Sequence, residues 1–237
     1  MVFCIVCLDK SRKICYTYDN LNRVTKRTVK DLNDVVQSEE DYSYDAAGNL
    51  TAAPNGSFAY DVNNRLTVFN GDPMSYDLDG NLLSATIGNT SVSFTYDSSN
   101  RLLSAGGNTY TYNAEGLRIR NLCGTDTTTY TYDTNAKLNR LLYRVKNETV
   151  TKYVYGLGLI GEETQSAFKT YHFDSRGSTV AITDASGTVT DTFAYDAYGN
   201  LLSRMGTSEI IFGYCGKYGI ITDENGLAYM RARYYRF

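Results

Sequence analysis

The chain has 237 residues, of which 21% are charged, and its formal net charge is −3, so it is long enough to bury the core of a globular domain. Its 22 tyrosines and 9 phenylalanines exclude a disordered chain, and its 20 glycines are too few for collagen. The basic residues gather at the two ends and leave an acidic body, which argues against nucleic-acid binding, and no apolar run approaches the ~20 residues that span a bilayer.

Residues 1–15 form an N-terminal segment that lies outside the repeats described below. It begins with eight mostly apolar residues, without the basic residues and cleavage site of a signal peptide, and we expect a buried first strand or a truncated gene start. Cys4 and Cys7 have the spacing of a zinc or redox site, but no second pair accompanies them and the single histidine, His172, is remote. The five cysteines are odd in number and irregularly spaced, so we predict free thiols, with no disulfide framework, metal or cofactor.

A Tyr-Asp repeat dominates the chain from residue 16 onward. About 1.7 Tyr-Asp dipeptides are expected by chance, whereas the sequence has seven, which begin at Tyr18, Tyr44, Tyr60, Tyr76, Tyr96, Tyr132 and Tyr195. Looser copies at Tyr112, Tyr155 and Phe173 bring the number of units to ten. Repeats of this length indicate one small supersecondary unit per copy.

Each unit has the pattern of a β-hairpin. The residue two positions before the anchor is aromatic in nine of the ten copies, and this period of two predicts a strand with rings on one face. The aspartate is followed by Gly or Asn three positions later, which predicts a turn that the carboxylate stabilises and a residue with positive φ closes. An apolar residue then begins the returning strand, at Val24, Leu50, Leu66, Leu82, Leu102, Leu138 and Leu201.

Ten such hairpins predict an all-β chain, in which repeated hairpins form a curved or spiral antiparallel sheet lined by tyrosines. One stretch departs from the pattern. Between Lys30 and Asp41, the apolar residues Leu32, Val35 and Val36 have helical spacing, and we predict a short inserted helix there. No linker or change in composition divides the chain, so we expect one domain.

The units Tyr96-Asp-Ser-Ser-Asn-Arg-Leu102 and Tyr195-Asp-Ala-Tyr-Gly-Asn-Leu201 resemble the YD repeats of Rhs proteins. Residues 153–237, with Tyr171-His-Phe-Asp-Ser-Arg-Gly177 and Gly226-Leu-Ala-Tyr-Met-Arg-Ala-Arg-Tyr-Tyr235, resemble a truncated Rhs repeat-associated core. The chain therefore divides into the N-terminal segment 1–15, a YD-repeat array over 16–152 and the core-like region 153–237. The family includes wall-associated proteins, polymorphic toxins, toxin-complex proteins and teneurins.

The resemblance implies a secreted or cell-surface bacterial protein whose β-sheet shell encloses a C-terminal toxin, and it makes the remainder of such a protein or its toxin the expected partner. In the family, the core continues into an Asp-Pro segment where aspartates assist self-cleavage. Here only Arg236 and Phe237 follow Tyr235. We therefore expect a fragment or short relic of a longer Rhs protein, without autoproteolysis.

Three other candidate sites have plainer interpretations. Residues 156–161 match G-x-G-x-x-G but lead into another strand, so we expect a hairpin loop and no bound dinucleotide. His172 occupies the slot between two aromatic residues and has no nucleophile elbow beside it. Seven of the 18 aspartates belong to Tyr-Asp turns, which argues against a glycosidase carboxylate pair. We predict no catalytic, cofactor-binding or metal-binding residues.

Three functions remain as hypotheses. The leading one is a non-enzymatic wall segment of a shell that encapsulates or presents a toxin. A second is a cell-surface adhesion module whose tyrosine-rich face binds carbohydrate, since aromatic rings stack on sugars. A third is an autoproteolytic core that depends on aspartate, which the missing Asp-Pro segment disfavours. None of them involves nucleic acid or a membrane span.

Overall fold

The computed structural model describes residues 2–6, 12–87, 90–136 and 138–236. The chain divides into two compact units, Met1–Val92 and Ser93–Phe237. Within the described residues, the only helix is a single 3-10 turn, Gly216–Tyr218, and the rest of the regular structure is antiparallel strands. The predicted all-β fold of repeated antiparallel hairpins is therefore confirmed.

The first unit contains two sheets and a further pair of strands. The strand order is β1-β2-β3-β4 in one sheet and β5-β6-β7-β8-β9 in the other, and β10 pairs with β11. The strands are β1 (Val2–Val6), β2 (Arg12–Tyr18), β3 (Val24–Asp31), β4 (Val36–Asp41), β5 (Ser43–Tyr44), β6 (Leu50–Ala53), β7 (Gly56–Tyr60), β8 (Leu66–Phe69), β9 (Asp72–Pro73), β10 (Ser75–Tyr76) and β11 (Leu82–Ile87).

In the second unit, consecutive strands pair in chain order from the strand at the unit boundary to β23, and β24, β25 and β26 form a separate small sheet. The strands are β12 (Thr90–Tyr96), β13 (Leu102–Ala105), β14 (Asn108–Tyr112), β15 (Arg118–Cys123), β16 (Asp126–Asp133), β17 (Arg140–Lys146), β18 (Thr149–Tyr155), β19 (Leu159–Glu163), β20 (Phe168–Phe173), β21 (Thr179–Thr183), β22 (Val189–Tyr195), β23 (Leu201–Met205), β24 (Ile221–Thr222), β25 (Leu227–Tyr229) and β26 (Tyr234–Arg236).

A β-bulge accompanies the anchor of the repeat. In β12, Thr95 pairs with Ser104 but Tyr96 pairs with Leu102, so one residue of the returning strand is left over. The same register shift occurs before the anchor in the other units, for example before Tyr60 in β7. Because a bulge increases the local twist, a bulge before each anchor increases the twist at the same position of every repeat.

The helix predicted between Lys30 and Asp41 is wrong. This stretch forms the end of β3, a turn and β4. The side chain of Asp31 accepts hydrogen bonds from the N–H groups of Asn33 and Val35, and Asp34 adopts a positive φ of 65°. The segment is thus another aspartate turn, without the preceding tyrosine, and these local hydrogen bonds outweigh the weak helical spacing of its apolar residues.

The returning strand after Tyr132 does not begin at Leu138 as predicted. Leu138 is exposed, and the partner of Tyr132 in the ladder is Leu141 on β17. The connection after Asp133 is therefore longer than in the other units. Leu141, which is only 2% exposed, takes the apolar position that the repeat requires.

The predicted division between a ringed face and a plainer face holds on the central strands. In β16, Tyr130 is buried while Thr129 and Thr131 are exposed. We call the ringed side of the second unit the tyrosine face; its buried aromatic residues are Phe94, Tyr110, Tyr130, Tyr153, Tyr171, Phe193 and Tyr195.

A C-terminal segment, residues 207–236, packs on the tyrosine face. Its residues Ile211, Phe212, Ile221 and Tyr229 are buried in the same cluster as Tyr130, Tyr153 and Tyr171. The main hydrophobic core of the unit therefore lies between the sheet and this segment. Among the described residues, no helix is long and apolar enough to cross a membrane.

Candidate functional site

The recurring polar site of the molecule is the aspartate turn. Oδ1 of Asp97 accepts hydrogen bonds of 2.9 Å from the N–H groups of Ser99 and Arg101, and Oδ2 lies 2.7 Å from Nε of Arg101. The turn closes through Asn100, whose φ is 58°. Turns at Asp19 and Asp61 repeat this arrangement with Arg23 and Arg65.

These hydrogen bonds fix the charge of the aspartates. The N–H of Arg101 is the largest cause of a lowered pKa for Asp97, and the guanidinium of Arg101 adds to it. The pKa values of Asp19 and Asp61 are lowered in the same way, whereas the side-chain amides of Asn49 and Asn81 are the largest causes of the lowered pKa values of Asp45 and Asp77. A carboxylate held ionised by its own turn is a poor proton donor or acceptor at neutral pH, so the Tyr-Asp pair acts as a structural element of the hairpin.

The anchor tyrosines join successive hairpins. The hydroxyl of Tyr44 donates a hydrogen bond of 2.7 Å to the carbonyl of Val24, one hairpin earlier, and the Arg23 guanidinium lies 4.6 Å from the centre of the Tyr44 ring. The hydroxyls of Tyr60, Tyr76, Tyr112 and Tyr155 make the corresponding bonds to the carbonyls of Leu50, Leu66, Leu102 and Leu141. Tyrosine is favoured over phenylalanine here because its hydroxyl satisfies a backbone carbonyl.

The most unusual group of the second unit is Arg118, whose side chain is 0% exposed. Its guanidinium makes two hydrogen bonds to the carboxylate of Asp223, from Nη1 to Oδ2 at 2.5 Å and from Nη2 to Oδ1 at 2.8 Å. Burial disfavours the charge, but the Asp223 carboxylate raises the pKa of Arg118 well above its usual value. This pair ties β15 to the C-terminal segment.

Four tyrosine rings surround the Arg118 guanidinium, at distances of 4.5 to 5.7 Å from its central carbon to the ring centres: Tyr110, Tyr130, Tyr229 and Tyr234. The hydroxyl of Tyr229 accepts a hydrogen bond of 3.0 Å from the backbone N–H of Arg118. Two of the rings come from the sheet and two from the C-terminal segment. The cage is therefore complete only when the segment is in place.

Two further ion pairs lie at the rim of the same interface. Nη1 of Arg144 is 2.7 Å from Oε1 of Glu209, and Nζ of Lys146 is 2.5 Å from Oε1 of Glu224. The Arg144 side chain is buried, whereas both glutamates are more than half exposed. A cavity of about 280 Å³ lies beside these pairs, between the sheet and the segment.

The candidates weighed from the sequence lie apart from this cluster. Of residues 156–161, the first three form the β18–β19 connection and the last three already belong to β19, so no helix follows the glycines. Nε2 of His172 lies 3.0 Å from the hydroxyl of Thr183 on the neighbouring strand. Among the described residues, no group of three or more His, Cys, Asp or Glu side chains could hold a metal ion.

The prediction of free thiols is wrong for Cys4 and Cys15, which form a disulfide between β1 and β2. The two residues are direct partners in the antiparallel ladder, and this proximity is invisible in their irregular spacing. Cys7, the other half of the proposed C-x-x-C site, lies outside the described residues. Cys123 and Cys215 are free.

Sequence reasoning missed Arg118 and Asp223, although both left a signal. Arg118 is the strand partner of the anchor Tyr112. In other repeats the partner of the anchor is a leucine, such as Leu102 or Leu66, so a charged residue replaces an apolar one here. Asp223 begins a turn with the same backbone hydrogen bonds, closed by Gly226 with a φ of 79°, but its carboxylate bonds to Arg118 and no tyrosine precedes it. A search for the turn alone, without its tyrosine, would have found it.

Comparison with known proteins gives matches along most of the chain. The teneurin YD-shell family model matches residues 8–158, and the RHS repeat model matches residues 173–208. A tRNA3(Ser)-specific nuclease WapA of Bacillus spizizenii is 31% identical over 93% of this chain, and a tRNA nuclease WapA of Bacillus subtilis strain 168 is 30% identical over the same share. The chain spans only 9% of the length of either relative.

A solved structure of similar fold is the TcdB2-TccC3-Cdc42 crystal structure. The match has a TM-score of 0.59 and 16% sequence identity, and it covers 94% of this chain and 14% of the other. At this identity the likeness concerns the fold alone. It agrees with the antiparallel hairpin array described above.

Proposed function

Because this chain belongs to the Rhs and YD-repeat family, a family of β-sheet shell proteins, we propose that it is a wall segment of an Rhs-type protein that encloses or presents a toxin. The observation that carries the proposal is the tyrosine face of the sheet, which the C-terminal segment covers. The chemistry that recurs along the repeat, an aspartate turn and a tyrosine that bonds to the previous hairpin, joins hairpins into a sheet.

The proposed role is structural and not enzymatic. The turn aspartates accept hydrogen bonds from their own turns, and their pKa values are lowered, which supports a structural role for them. The two nuclease relatives carry their activity in proteins more than ten times as long as the matched region, so their names suggest what kind of cargo a wall of this type accompanies. We assign no nuclease activity to this chain.

A location outside the reducing cytoplasm is part of the proposal. The Cys4–Cys15 disulfide supports it, since disulfides persist in secreted and surface proteins and are rare in the cytosol of most organisms. Mass spectrometry of protein taken from the native cells, alkylated before reduction, would show Cys4 and Cys15 protected. If both thiols are alkylated in full, the proposed location is wrong.

The wall role is tested on the longest native polypeptide that carries this segment. Electron cryomicroscopy of that polypeptide is expected to show the hairpins of residues 16–205 side by side in the wall of a hollow particle, with the toxic domain inside. Limited proteolysis gives a second measurement, since an enclosed domain resists protease until the wall unfolds. A toxic domain that is cleaved while the hairpins remain folded would contradict the proposal.

A second function, carbohydrate binding, is favoured by one feature of the first unit. The rings of Phe58 and Phe69 lie 5.0 Å apart and are only partly buried, so aromatic surface remains open to solvent on neighbouring strands. Such rings can stack on the apolar faces of sugars. A glycan array with the purified chain separates the two functions, because a wall segment predicts no saturable binding, and a Phe69→Ala variant should abolish any binding that occurs through these rings.

A further inference from the structure

The interface between the sheet of the second unit and the C-terminal segment has the charge distribution of two complementary partners. The sheet supplies the cations Arg118, Arg144 and Lys146, and the segment supplies the carboxylates of Asp223, Glu209 and Glu224. Each of these three ion pairs therefore crosses the interface with the same polarity. Such one-sided complementarity is typical of surfaces that recognise each other.

The interface also has a buried centre and a more exposed rim. At the centre, the side chains of Arg118 and Asp223 are 0% and 2% exposed and share two hydrogen bonds. At the rim, the side chains of Glu209 and Glu224 are 54% and 59% exposed. In protein complexes, a desolvated anchor of this kind, with Arg and Tyr at its core, contributes most of the binding energy.

Backbone contacts fix the position of the segment on the sheet. The N–H of Thr179 donates to the carbonyl of Gly213 at 3.0 Å, and its hydroxyl donates to the carbonyl of Phe212 at 2.6 Å. The N–H of Lys217 donates to the carbonyl of Gly177 at 3.0 Å. The ring of Phe212 meets the ring of Tyr153 edge-on, with centres 4.9 Å apart. The segment thus has its own hydrogen bonds and apolar anchor, apart from its covalent link to β23.

The covalent link itself is exposed. Gly206 and Thr207 follow β23 and are exposed, and Gly206 has a φ of 86°. Ser208 is the first residue after them with bonds to the sheet, since its N–H donates to Oδ1 of Asp191 at 2.9 Å. A cut between Gly206 and Thr207 therefore breaks the chain without removing any contact described above.

We propose that the tyrosine face is a binding surface for a tyrosine-bearing hairpin segment with three suitably placed carboxylates, and that the C-terminal segment is its intramolecular ligand, which stays bound when the chain is cut. The Arg118 cage, the two rim pairs and the Phe212 anchor are the contacts that recognise such a segment. The partner that this surface fits is therefore a peptide with carboxylates at the positions of Glu209, Asp223 and Glu224 and rings at the positions of Phe212, Tyr229 and Tyr234.

The test uses the full chain with a site for a specific protease inserted between Gly206 and Thr207. After complete cleavage, we expect the C-terminal fragment to co-elute with the rest of the chain in gel filtration at low micromolar concentration, and to separate from it only in denaturant. Elution of the fragment by itself in native buffer, or loss of the β-sheet circular dichroism spectrum on cleavage, would overturn the proposal.

Two variants of the cleavable chain show whether recognition depends on the buried centre. Asp223→Asn keeps the shape of the side chain but leaves the Arg118 charge unpaired. The dissociation constant of the cut fragment should therefore be at least tenfold higher than in the parent. Arg233→Gln changes an exposed charge of the same segment that takes part in none of these contacts, so the cut fragment should be retained as in the parent. Equal retention in both variants would show that the centre does not direct binding, and the proposal would fail.

Discussion

The two units of the chain contain the same hairpin but differ in how their aromatic faces are buried. In the first unit, Phe58 and Phe69 contact each other and remain partly exposed. In the second unit, Tyr153 meets Phe212 of the C-terminal segment and is 5% exposed. The hairpin is therefore formed by local interactions, and rings such as Tyr42 are buried in the first unit too, whereas Tyr153 is buried by a segment far away in the sequence.

Buried arginines show the same difference. Arg27 of the first unit is 3% exposed and pairs with Glu40, the residue directly opposite it on the next strand. Arg118 of the second unit is 0% exposed and pairs with Asp223, which is 105 residues later in the chain. A local ion pair is available as soon as two strands meet, but the second pair forms only when the C-terminal segment docks.

The largest expected effect comes from removing one member of the remote pair. Arg118→Met should lower the free energy of unfolding by about 3–5 kcal/mol, because Asp223 is left as an unpaired buried charge. Urea denaturation followed by circular dichroism measures this. Arg120→Met, on the same strand but exposed, is the matched control and should change the free energy by less than about 0.5 kcal/mol.

The double variant Arg118→Met, Asp223→Leu sharpens the interpretation. Because apolar residues of similar volume often replace a buried ion pair without loss, the double variant should recover most of the stability lost by Arg118→Met. If it is as unstable as the single variant, the tyrosine cage around the guanidinium contributes more than the carboxylate does.

The second prediction compares apolar burial in the two units. Phe212 is 0% exposed, so Phe212→Ala should cost about 3–5 kcal/mol through lost burial and the cavity that remains. Phe69 is partly exposed, so Phe69→Ala should cost only about 1–2 kcal/mol. Thermal denaturation of the two variants side by side measures the difference. Equal losses would mean that the aromatic faces of the two units are equally buried in solution.

The difference between local and remote contacts also explains which parts of the structure the sequence predicts. The hairpin was predictable because its turn is local: an aspartate, two variable residues and a Gly or Asn at positive φ recur within five positions. The helix predicted over Lys30 to Asp41 is wrong because the spacing of three apolar residues is a weaker signal than the turn at Asp31, which no tyrosine precedes. Asp184, whose carboxylate accepts a hydrogen bond from the N–H of Thr188, likewise forms a turn without a tyrosine before it.

The remote contacts could not be predicted from spacing. No pattern in the sequence near Arg118 indicates that Asp223 is its partner. The four tyrosines around Arg118 also come from two distant parts of the chain. The disulfide between Cys4 and Cys15 was missed for a related reason, since it depends on the register of β1 against β2. Periodicity gives the face on which a residue lies, but not the residue that a distant segment brings against it.

The third prediction concerns a contact that both units share. Tyr60→Phe in the first unit removes the hydrogen bond to the Leu50 carbonyl, and Tyr155→Phe in the second removes the bond to the Leu141 carbonyl, both of 2.9 Å. Each should cost about 0.5–1.5 kcal/mol in denaturant unfolding. Burial raises the pKa of Tyr155 to about 12, so no titration below pH 10 should alter its contribution.

The smallest effect per residue, and one common to both units, is that of acid on the aspartate turns. The pKa values of Asp61 and Asp97 are lowered in the folded chain, so their stabilisation is present above the ordinary aspartate pKa of about 3.9 and is lost as the pH falls through the lower folded values. Stability should therefore decline below about pH 4. Hydrogen exchange at the amides of Asn63 and Ser99, which donate to these carboxylates, measures the loss in each unit.

Asp61→Asn and Asp97→Asn should each flatten the pH dependence of their own turn and leave the other turn unchanged. If acid opens only one of the two turns, the carboxylates do not stabilise the repeat equally, and the turn would cease to be the part of the structure that the two units share.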